Sequence, residues 1–264
     1  PGGAYGLFSS AATGLVGHAF AEGHLRGFGL RVSGSVQRSD DLVAGRGIGE
    51  QPFTRFAQGT LDLHGAWYIS QKTTLRLSYS TLRRHDAPRA ARSSARDFSL
   101  LRDELRDLVA LRFRRESDSR WLRELWAQVS LVHQRQQHER LELDADRLSR
   151  HRDGVLSIGA RIRGRSELPG NNSLVYGVDF QHDRVDSTAE QERISEPLRS
   201  PLARGRYLDG SSLSELGVYA QDRLELLDKR LLVDLGLRFT SWFSELPVDG
   251  TRGAQSSALH DVSG

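Results

Sequence analysis

Residues 213–239 read LSELGVYAQDRLELLDKRLLVDLGLRF, and this stretch decides the fold. In its second half every other position is apolar, through Leu231, Val233, Leu235, Leu237 and Phe239. Because side chains of a β-strand alternate between two faces, a period of two predicts a strand and not a helix. The first half alternates in the same way, and residues 227–230 interrupt the pattern. The stretch is therefore predicted to form a β-hairpin with a tight polar turn.

The second face of this hairpin combines charged residues with small ones. Asp234, Gly236 and Arg238 lie on it in the second strand, and Glu215, Gly217 and Tyr219 in the first. A sheet that is apolar on one side and polar on the other suits a boundary between hydrocarbon and a wet interior. We therefore interpret the chain as an all-β protein, an antiparallel transmembrane β-barrel.

The composition is compatible with such a barrel. Only 38% of the 264 residues are hydrophobic, and the mean hydropathy is −0.49. A membrane-spanning helix needs about 20 consecutive apolar residues, and the sequence has no such run. Barrel strands do not meet this criterion, because half of each strand faces a polar lumen.

Charge and residue usage exclude several other classes of protein. The chain has no Cys, which rules out disulfides and thiolate metal sites. Its net charge is +3, with 34 acidic residues interleaved among 37 basic ones, and this predicts a mixed solvated surface and no nucleic-acid partner. The sequence starts at Pro1 and contains no Met and no apolar leader, so we expect it to be a fragment of a longer protein.

Alternation elsewhere predicts about ten strands in all. The strand segments lie near residues 4–21, 28–36, 60–67, 75–80, 109–113, 125–131, 156–162, 174–180, 216–220 and 231–239. The facing of the first segment is ambiguous, and residues 244–264 are predicted as a loop. Residues 98–131 also fit a helical spacing of Leu with interleaved charges, so a helix hairpin is an open alternative there.

Connection lengths give a second indication of a barrel. Short breaks follow residues 22, 70, 116, 169 and 228, and long ones lie near 39–53, 84–97, 134–150 and 184–211. In outer-membrane barrels the turns at one rim are short and the loops at the other are long. Residues 134–150 are either a loop or a strand extension. Trp67 and Trp121 fall near short turns, as an interfacial aromatic girdle would.

Several strands resemble those of a known family. Residues 216–222 (LGVYAQD), 235–239 (LGLRF) and 175–180 (VYGVDF) resemble barrel strands of TonB-dependent outer-membrane receptors. Residues 75–89 (LRLSYSTLRRHDAPR) are similar to an early barrel strand and loop in the haem and haemoglobin-receptor branch. The resemblance implies a barrel of about 22 strands plugged by an N-terminal domain. It also implies import of a scarce ligand, such as a ferric siderophore, haem or cobalamin, with energy transmitted by TonB.

This resemblance sets the expectations for domains, location and partners. Residues 1–264 would form one partial barrel domain, with the plug domain and the remaining strands outside the chain. The expected location is the outer membrane of a Gram-negative bacterium. The expected partners are outer-membrane lipid, the plug and remaining barrel of the same receptor, the TonB complex and a small-molecule ligand. Alternatives are a passive porin or adhesin barrel, and a soluble interaction module built around a helix hairpin at residues 98–131.

The sequence offers few candidate site residues. Nine histidines lack metal-ligand spacing, but His85, His138 and His151 lie in or near predicted outer loops and are candidates to bind a ligand, for example a haem iron. The alternative is that they are ordinary solvated histidines. The glycine-rich residues 45–49 open no helix, which argues against a phosphate site. No catalytic motif occurs, and we expect no enzyme activity, no resident metal and no cofactor.

Charged residues are also predicted along the lumen. They are Arg31, Arg76, Arg112, Arg161, Arg163 and Arg238, with Asp62, Glu124, Asp179, Glu215 and Asp234. Cross-strand ion pairing and contact with a plug explain such a wall. A path for anionic ligands is the alternative.

Overall fold

The computed structural model describes residues 1–45, 47, 49–88, 96–170, 172–202, 204–227, 230–247 and 255–263. Almost all of this is β-strand, with one 3-10 turn at Leu143–Ala145. The strands are β1 (Gly2–Ser9), β2 (Gly14–Leu25), β3 (Phe28–Ser39), β4 (Leu42–Ala44), β5 (Gly49–Gln51), β6 (Phe56–Ser70), β7 (Thr73–Pro88), β8 (Asp97–Glu116), β9 (Glu124–Glu142), β10 (Arg147–Leu168), β11 (Asn172–Arg193), β12 (Arg199–Pro201), β13 (Ser211–Leu226), β14 (Leu231–Leu246) and β15 (Gln255–Ser263).

One antiparallel sheet of thirteen strands contains all of these except β4 and β5, which form a separate pair. Its main path joins twelve strands in chain order, and the short β12 pairs only with β11. Over the described residues the sheet does not close on itself, because β1 and β15 are its edges. The all-β antiparallel prediction is confirmed. The described part of the chain has no helix that is both long and apolar enough to span a membrane.

The helical alternative for residues 98–131 is wrong, and with it the soluble module built on that hairpin. Strands β8 and β9 pair along their length, and Val109 lies opposite Leu131 just as Leu111 lies opposite Val129. A helix would spread these apolar residues around its axis. As strands they join one continuous apolar surface. The spacing of apolar residues in 98–131 fits a helix or a strand locally, and pairing with neighbouring strands selects the strand.

The main path has two more long strands than the ten that were predicted. Residues 4–21 are divided between β1 and β2, with Thr13 in a left-handed conformation (φ 42°) in the turn between them. Residues 255–263, which were expected to be loop, form β15 against β14. Both edge strands are rich in Gly, Ala or Ser, and such residues alternate too weakly in hydrophobicity to indicate a strand.

The two rims differ as predicted, but not by a strict alternation of short and long connections. At one rim, the short-turn rim, the connections are residues 26–27, 71–72, 117–123, 169–171 and 227–230, of which 171 and 228–229 lie outside the described residues. At the other, the long-loop rim, residues 134–150 are strand apart from a turn at 143–146. Strands β10 and β11 each run for 22 residues, so the sheet itself extends where loops were expected.

The long strands β6 to β11, β13 and β14 each have one apolar face over part of their length, and these faces join into a band that we call the apolar belt. Its members include Leu61, Leu63, Trp67, Leu75, Leu77, Tyr79, Val109, Leu111, Phe113, Val129, Leu131, Ile158, Ile162, Val178, Phe180, Val218, Leu237 and Phe239. Val178, Val218 and Phe239 are neighbours across three strands and are 43%, 46% and 42% exposed. A band this large is typical of a surface that contacts lipid.

The opposite face, the lumen wall, carries the charged residues. Arg76 and Arg112 lie opposite one another across β7 and β8, and Arg161 lies opposite Asp179 across β10 and β11. The alternation of lipid-facing and lumen-facing residues therefore holds in the structure. Beyond the belt, toward the long-loop rim, the strands continue as strand extensions at residues 81–88, 97–106, 133–142, 147–155 and 182–193.

Candidate functional site

The structure places two of the three candidate histidines together. His138 of β9 and His151 of β10 are directly opposite one another on the lumen side of the strand extensions. His138 is 7% exposed. His85 of β7 lies on the other side of the sheet, with its Nδ1 3.1 Å from Asp103 Oδ1. Sequence spacing could not show this, because facing depends on the register between strands.

A row of hydrogen-bonded polar side chains leads up to His138 across five strands, and we call it the polar row. It consists of Gln37, Gln58, Arg84, Glu104, Gln136 and His138. Arg84 donates to both Gln58 Oε1 and Glu104 Oε2 at 3.1 Å, and Gln136 Nε2 donates to Glu104 Oε1 at 3.1 Å. His138 Nε2 lies 3.4 Å from Gln136 Oε1. The row therefore fixes the side chains on one flank of the histidine pair.

Sequence reasoning missed the polar row. Its members alternate with outward-facing residues, and part of the row lies in residues 134–150, which were predicted as either a loop or a strand extension. The available signal was the continued period of two in the polar residues Gln134, Gln136 and His138, which matches a strand as well as a loop.

The segment 204–210 covers the other flank of the pair. Arg206 Nη1 lies 3.5 Å from Asp153 Oδ2, and the Tyr207 backbone N–H donates to Ser187 Oγ at 3.2 Å. The Ser187 backbone N–H donates to Asp209 Oδ1 at 2.8 Å. Asp153 and Ser187 are buried, at 7% and 3% exposure. The connection between β11 and β13 thus folds over the lumen wall beside the histidines.

The surroundings of His151 disfavour its charged form. Burial lowers the pKa of its imidazole, Asp153 acts in the opposite direction, and Arg206 lowers the pKa further. Its Nδ1 is buried and has no hydrogen-bond partner among the described residues. A neutral imidazole is a common metal ligand, but this buried nitrogen is closed to solvent in the present arrangement. Over the described residues no group of three or more His, Cys, Asp or Glu side chains could hold a metal ion, so a metal would need ligands from elsewhere.

Nearer the short-turn rim, the lumen wall is held by ion pairs. Arg238 donates to both carboxylate oxygens of Asp179, at 3.0 and 2.8 Å, and lies 3.4 Å from Glu215. These side chains cross over Gly217, where an added Cβ would lie 2.6 Å from Asp179 Oδ2. Only glycine therefore fits beneath this pair without displacing it.

The predicted charged wall is only partly neutralised by its own residues. Arg163 lies 3.6 Å from Glu124, Arg31 lies 3.7 Å from Glu22, and Arg112 donates to Gln128. Arg112 and Arg163 also lie over the Trp126 ring, with their guanidinium carbons 5.2 and 5.6 Å from the ring centroid. Arg76 and Arg161 have no hydrogen-bond or ion-pair partner in the described part of the chain. The wall therefore presents unneutralised positive charge.

Solved structures share this fold. The copper transporter OprC matches with a TM-score of 0.79 and 15% identity, over 99% of this chain and 41% of that one. The hemophore receptor HasR of Serratia marcescens, in complex with its hemophore HasA and heme, matches with a TM-score of 0.72 and 15% identity over 99% and 40%. The FrpB iron transporter of Neisseria meningitidis, in its apoprotein form, matches with a TM-score of 0.71 and 12% identity over 99% and 41%.

These identities show a common fold, and this chain spans about two fifths of the length of those proteins. Comparison with curated protein sequences gave no match. Residues 16–263 match the family described as TonB dependent receptor-like, beta-barrel. The chain belongs to the TonB-dependent receptors, and its strands form part of their β-barrel in the outer membrane of a Gram-negative bacterium.

Proposed function

We propose that the receptor containing this chain imports a scarce ligand, such as a ferric siderophore or haem, with energy transmitted by TonB. The observation that carries the proposal is the two-faced sheet. Its apolar belt faces lipid, and its lumen wall holds the half-buried polar row and a histidine pair near the long-loop rim. In outer-membrane barrels the long loops are extracellular. The histidine pair would then face a ligand that arrives from outside. We propose no catalytic role for any residue.

We further propose that residues 1–264 form a partial barrel domain. The plug domain and the remaining strands of a barrel of about 22 would belong to the rest of the receptor. Two unpaired edge strands are not viable in lipid, which supports further strands on both sides of this sheet. The other proposed partners are outer-membrane lipid, the TonB complex and the small-molecule ligand.

The site that we propose for the ligand includes His138 and His151. A neutral imidazole is a common ligand of haem iron and of copper. Proteins with this fold include a copper transporter, an iron transporter and a receptor solved with heme, which supports a metal-containing ligand. His85 faces the opposite side of the sheet and pairs with Asp103, so it is not part of the site that we propose. That His85 binds a ligand stays a prediction.

Uptake by the complete receptor tests the proposed function. Cells expressing it are grown under iron limitation with haem or a ferric siderophore as the iron source, in matched strains with and without TonB. We expect growth and accumulation of the labelled ligand only in the strain with TonB, because closed, plugged barrels need energy to admit ligand. Equal uptake in both strains would indicate a passive porin, and adherence without uptake would indicate an adhesin.

A double substitution, His138→Ala with His151→Ala, tests the proposed site. We expect the full receptor to bind haem at least about tenfold more weakly, since loss of groups that hold a metal ligand typically has an effect of that size or larger. Titration of haem, followed by its Soret absorbance, measures the affinity. His85→Ala is the matched control, because it removes an imidazole from the same level of the barrel but from the other face. Full affinity in the double variant would exclude the pair as ligands of haem.

A further inference from the structure

The connection between β11 and β13 turns back over the lumen wall. It leaves β11 through the short β12, which pairs with residues 190–192, and it rejoins the sheet at Ser211 of β13, opposite Val185. Neither β12 nor β13 pairs with residues 186–189 of β11. Residues 204–210, which we call the strap, lie beside this part of β11 and contact its lumen-facing side chains.

Ser187 of β11 is the residue to which the strap is fastened. The Tyr207 backbone N–H of the strap donates to Ser187 Oγ at 3.2 Å, and the Ser187 backbone N–H donates to Asp209 Oδ1 of the strap at 2.8 Å. Ser187 Oγ in turn donates to Asp153 Oδ1 of β10 at 2.7 Å. Because Ser187 is only 3% exposed, these hydrogen bonds are shielded from water by the strap itself.

The strap approaches β11 most closely at Gly205. A Cβ added to Gly205 would lie 2.8 Å from the carbonyl carbon of Ser187 and 2.9 Å from its carbonyl oxygen. These are backbone atoms of a paired strand, so they cannot rotate away as a side chain could. A residue larger than glycine would therefore push the strap off the lumen wall.

The strap covers the histidine pair from the side of β11. His151 lies opposite Ala189, which is 8% exposed, and Asp153, which follows His151 on the same face, is 7% exposed. Arg206 Nη1 of the strap lies 3.5 Å from Asp153 Oδ2. The pKa of the His151 imidazole is lowered by burial and also by the positive charge of Arg206, which places the strap near this ring. The buried Nδ1 of His151 is thus closed to solvent in this arrangement.

We propose that the strap is autoinhibitory: it holds the histidine pair closed, and a metal-containing ligand coordinates His151 only after displacing it. This inference rests on the proposed ligand site and adds that the site must open before it can be used. The apparent affinity of a site that is open only part of the time is reduced by the open fraction.

The strap can open without unfolding the sheet. It is held by a few hydrogen bonds and buries little apolar surface, since Tyr207 is 49% exposed and Asp209 is exposed as well. Segments of this kind open locally at a much lower free energy than the strands that carry them. The hydrogen bonds of Ser187 therefore set how often the histidine pair is uncovered.

Chemical modification of His151 in the full receptor tests the strap without any ligand. Ser187→Ala removes the hydroxyl that joins Tyr207 to Asp153, and we expect diethylpyrocarbonate to modify His151 about tenfold faster in this variant, since two hydrogen bonds are lost. Mass spectrometry of the peptides measures the rate. His85, whose side chain is 58% exposed on the other face, is the internal reference and is expected to react at an unchanged rate.

Two further variants complete this experiment. Gly205→Ala acts on the same contact from the strap, and we expect it to raise the rate at His151 as Ser187→Ala does. Ser200→Ala is the matched control, because Ser200 is an exposed serine of the same connection whose hydroxyl donates only to the Gln191 carbonyl oxygen, at 3.3 Å. The control is expected to react as the unchanged receptor does.

Haem association, followed by stopped-flow absorbance, shows whether the strap limits ligand binding. We expect haem to associate about tenfold faster with both strap variants, in step with the modification of His151. Unchanged modification in both variants would overturn the proposal. Faster modification with an unchanged rate of haem association would also overturn it, provided that the double variant His138→Ala with His151→Ala has lost haem affinity. If that double variant keeps full affinity, the ligand site is wrong, and the modification rates alone decide whether the strap covers His151.

Discussion

Replacing Val218 with arginine is expected to destabilise the barrel by about 2 to 4 kcal/mol, the cost of a cation near the middle of a lipid-facing strand. Val218 is 46% exposed in the apolar belt, and its neighbours across the sheet are Val178 and Phe239. A guanidinium there would lose its water and gain no carboxylate. Urea unfolding of the full receptor in lipid vesicles measures the change in free energy.

Gln221→Arg is the control for this substitution. Gln221 is an exposed residue of the same strand, but it faces the lumen, where water can reach the added charge. We expect its effect to stay within about 0.5 kcal/mol. Leu235 would serve less well than Val218 for the test, because Asp222 lies directly opposite it and would pair with a new arginine. Equal costs at positions 218 and 221 would contradict the assignment of the two faces.

Replacing Arg150 with leucine is expected to open the strand extensions about tenfold more often, since Arg150 of β10 links Glu139 of β9 to Glu192 of β11. Arg150 Nε lies 3.1 Å from Glu139 Oε1, and Arg150 Nη1 lies 2.5 Å from Glu192 Oε2. Only 17% of its side chain is exposed, against 9% for Glu139. Loss of a charge-assisted hydrogen bond, moderated by solvent screening, gives an effect of about this size. Amide hydrogen exchange in β9 and β10 measures the opening.

Arg152→Leu controls for the loss of an arginine from the same strand and face. Arg152 is 62% exposed and lies 3.7 Å from Glu190, so its contribution is that of a weak surface pair. We expect exchange in this variant to stay within about twofold of the unchanged receptor. Exchange that is equally fast in both variants would show that the ion pairs of Arg150 do not hold the extensions together.

The contact between Arg150 and Glu192 makes the stability of the strand extensions depend on pH. The hydrogen bond from Arg150 is the main cause that lowers the pKa of Glu192 below its ordinary value. A carboxyl whose pKa is lowered by folding stabilises the fold above its ordinary pKa, and this stabilisation is lost as the pH falls through the lowered value. In the Arg150→Leu variant we expect a smaller loss of stability on acidification, because Glu192 no longer has the partner that lowers its pKa.

Much of the barrel could be predicted from alternation along single strands. The hairpin at residues 213–239 forms as predicted, with Leu216, Val218, Leu237 and Phe239 on the lipid side. The family could be inferred from the same strands. Alternation was not enough to identify β1 and β15, because their many small residues conceal it. It was also not enough to identify the strands in residues 134–150, because polar residues occupy both faces of a strand that has left the membrane.

The contacts between strands could not be predicted in this way. His138 and His151 meet because the turn at residues 143–146 brings β10 back along β9 in one particular register. A shift of one residue would place the two imidazoles on opposite faces. The polar row and the ion pairs of Arg150 depend on register in the same way.

The sequence by itself determined the class of fold, the two faces of each strand and the rim at which the turns are short. Each of these follows from a period of two and from turn residues, which act within a few positions of the chain. The pairing of strands in the tertiary structure was needed to show which side chains meet and that the extensions are strands. Those features arise from the hydrogen-bonded register between neighbouring strands, and the pattern within a single strand does not encode that register.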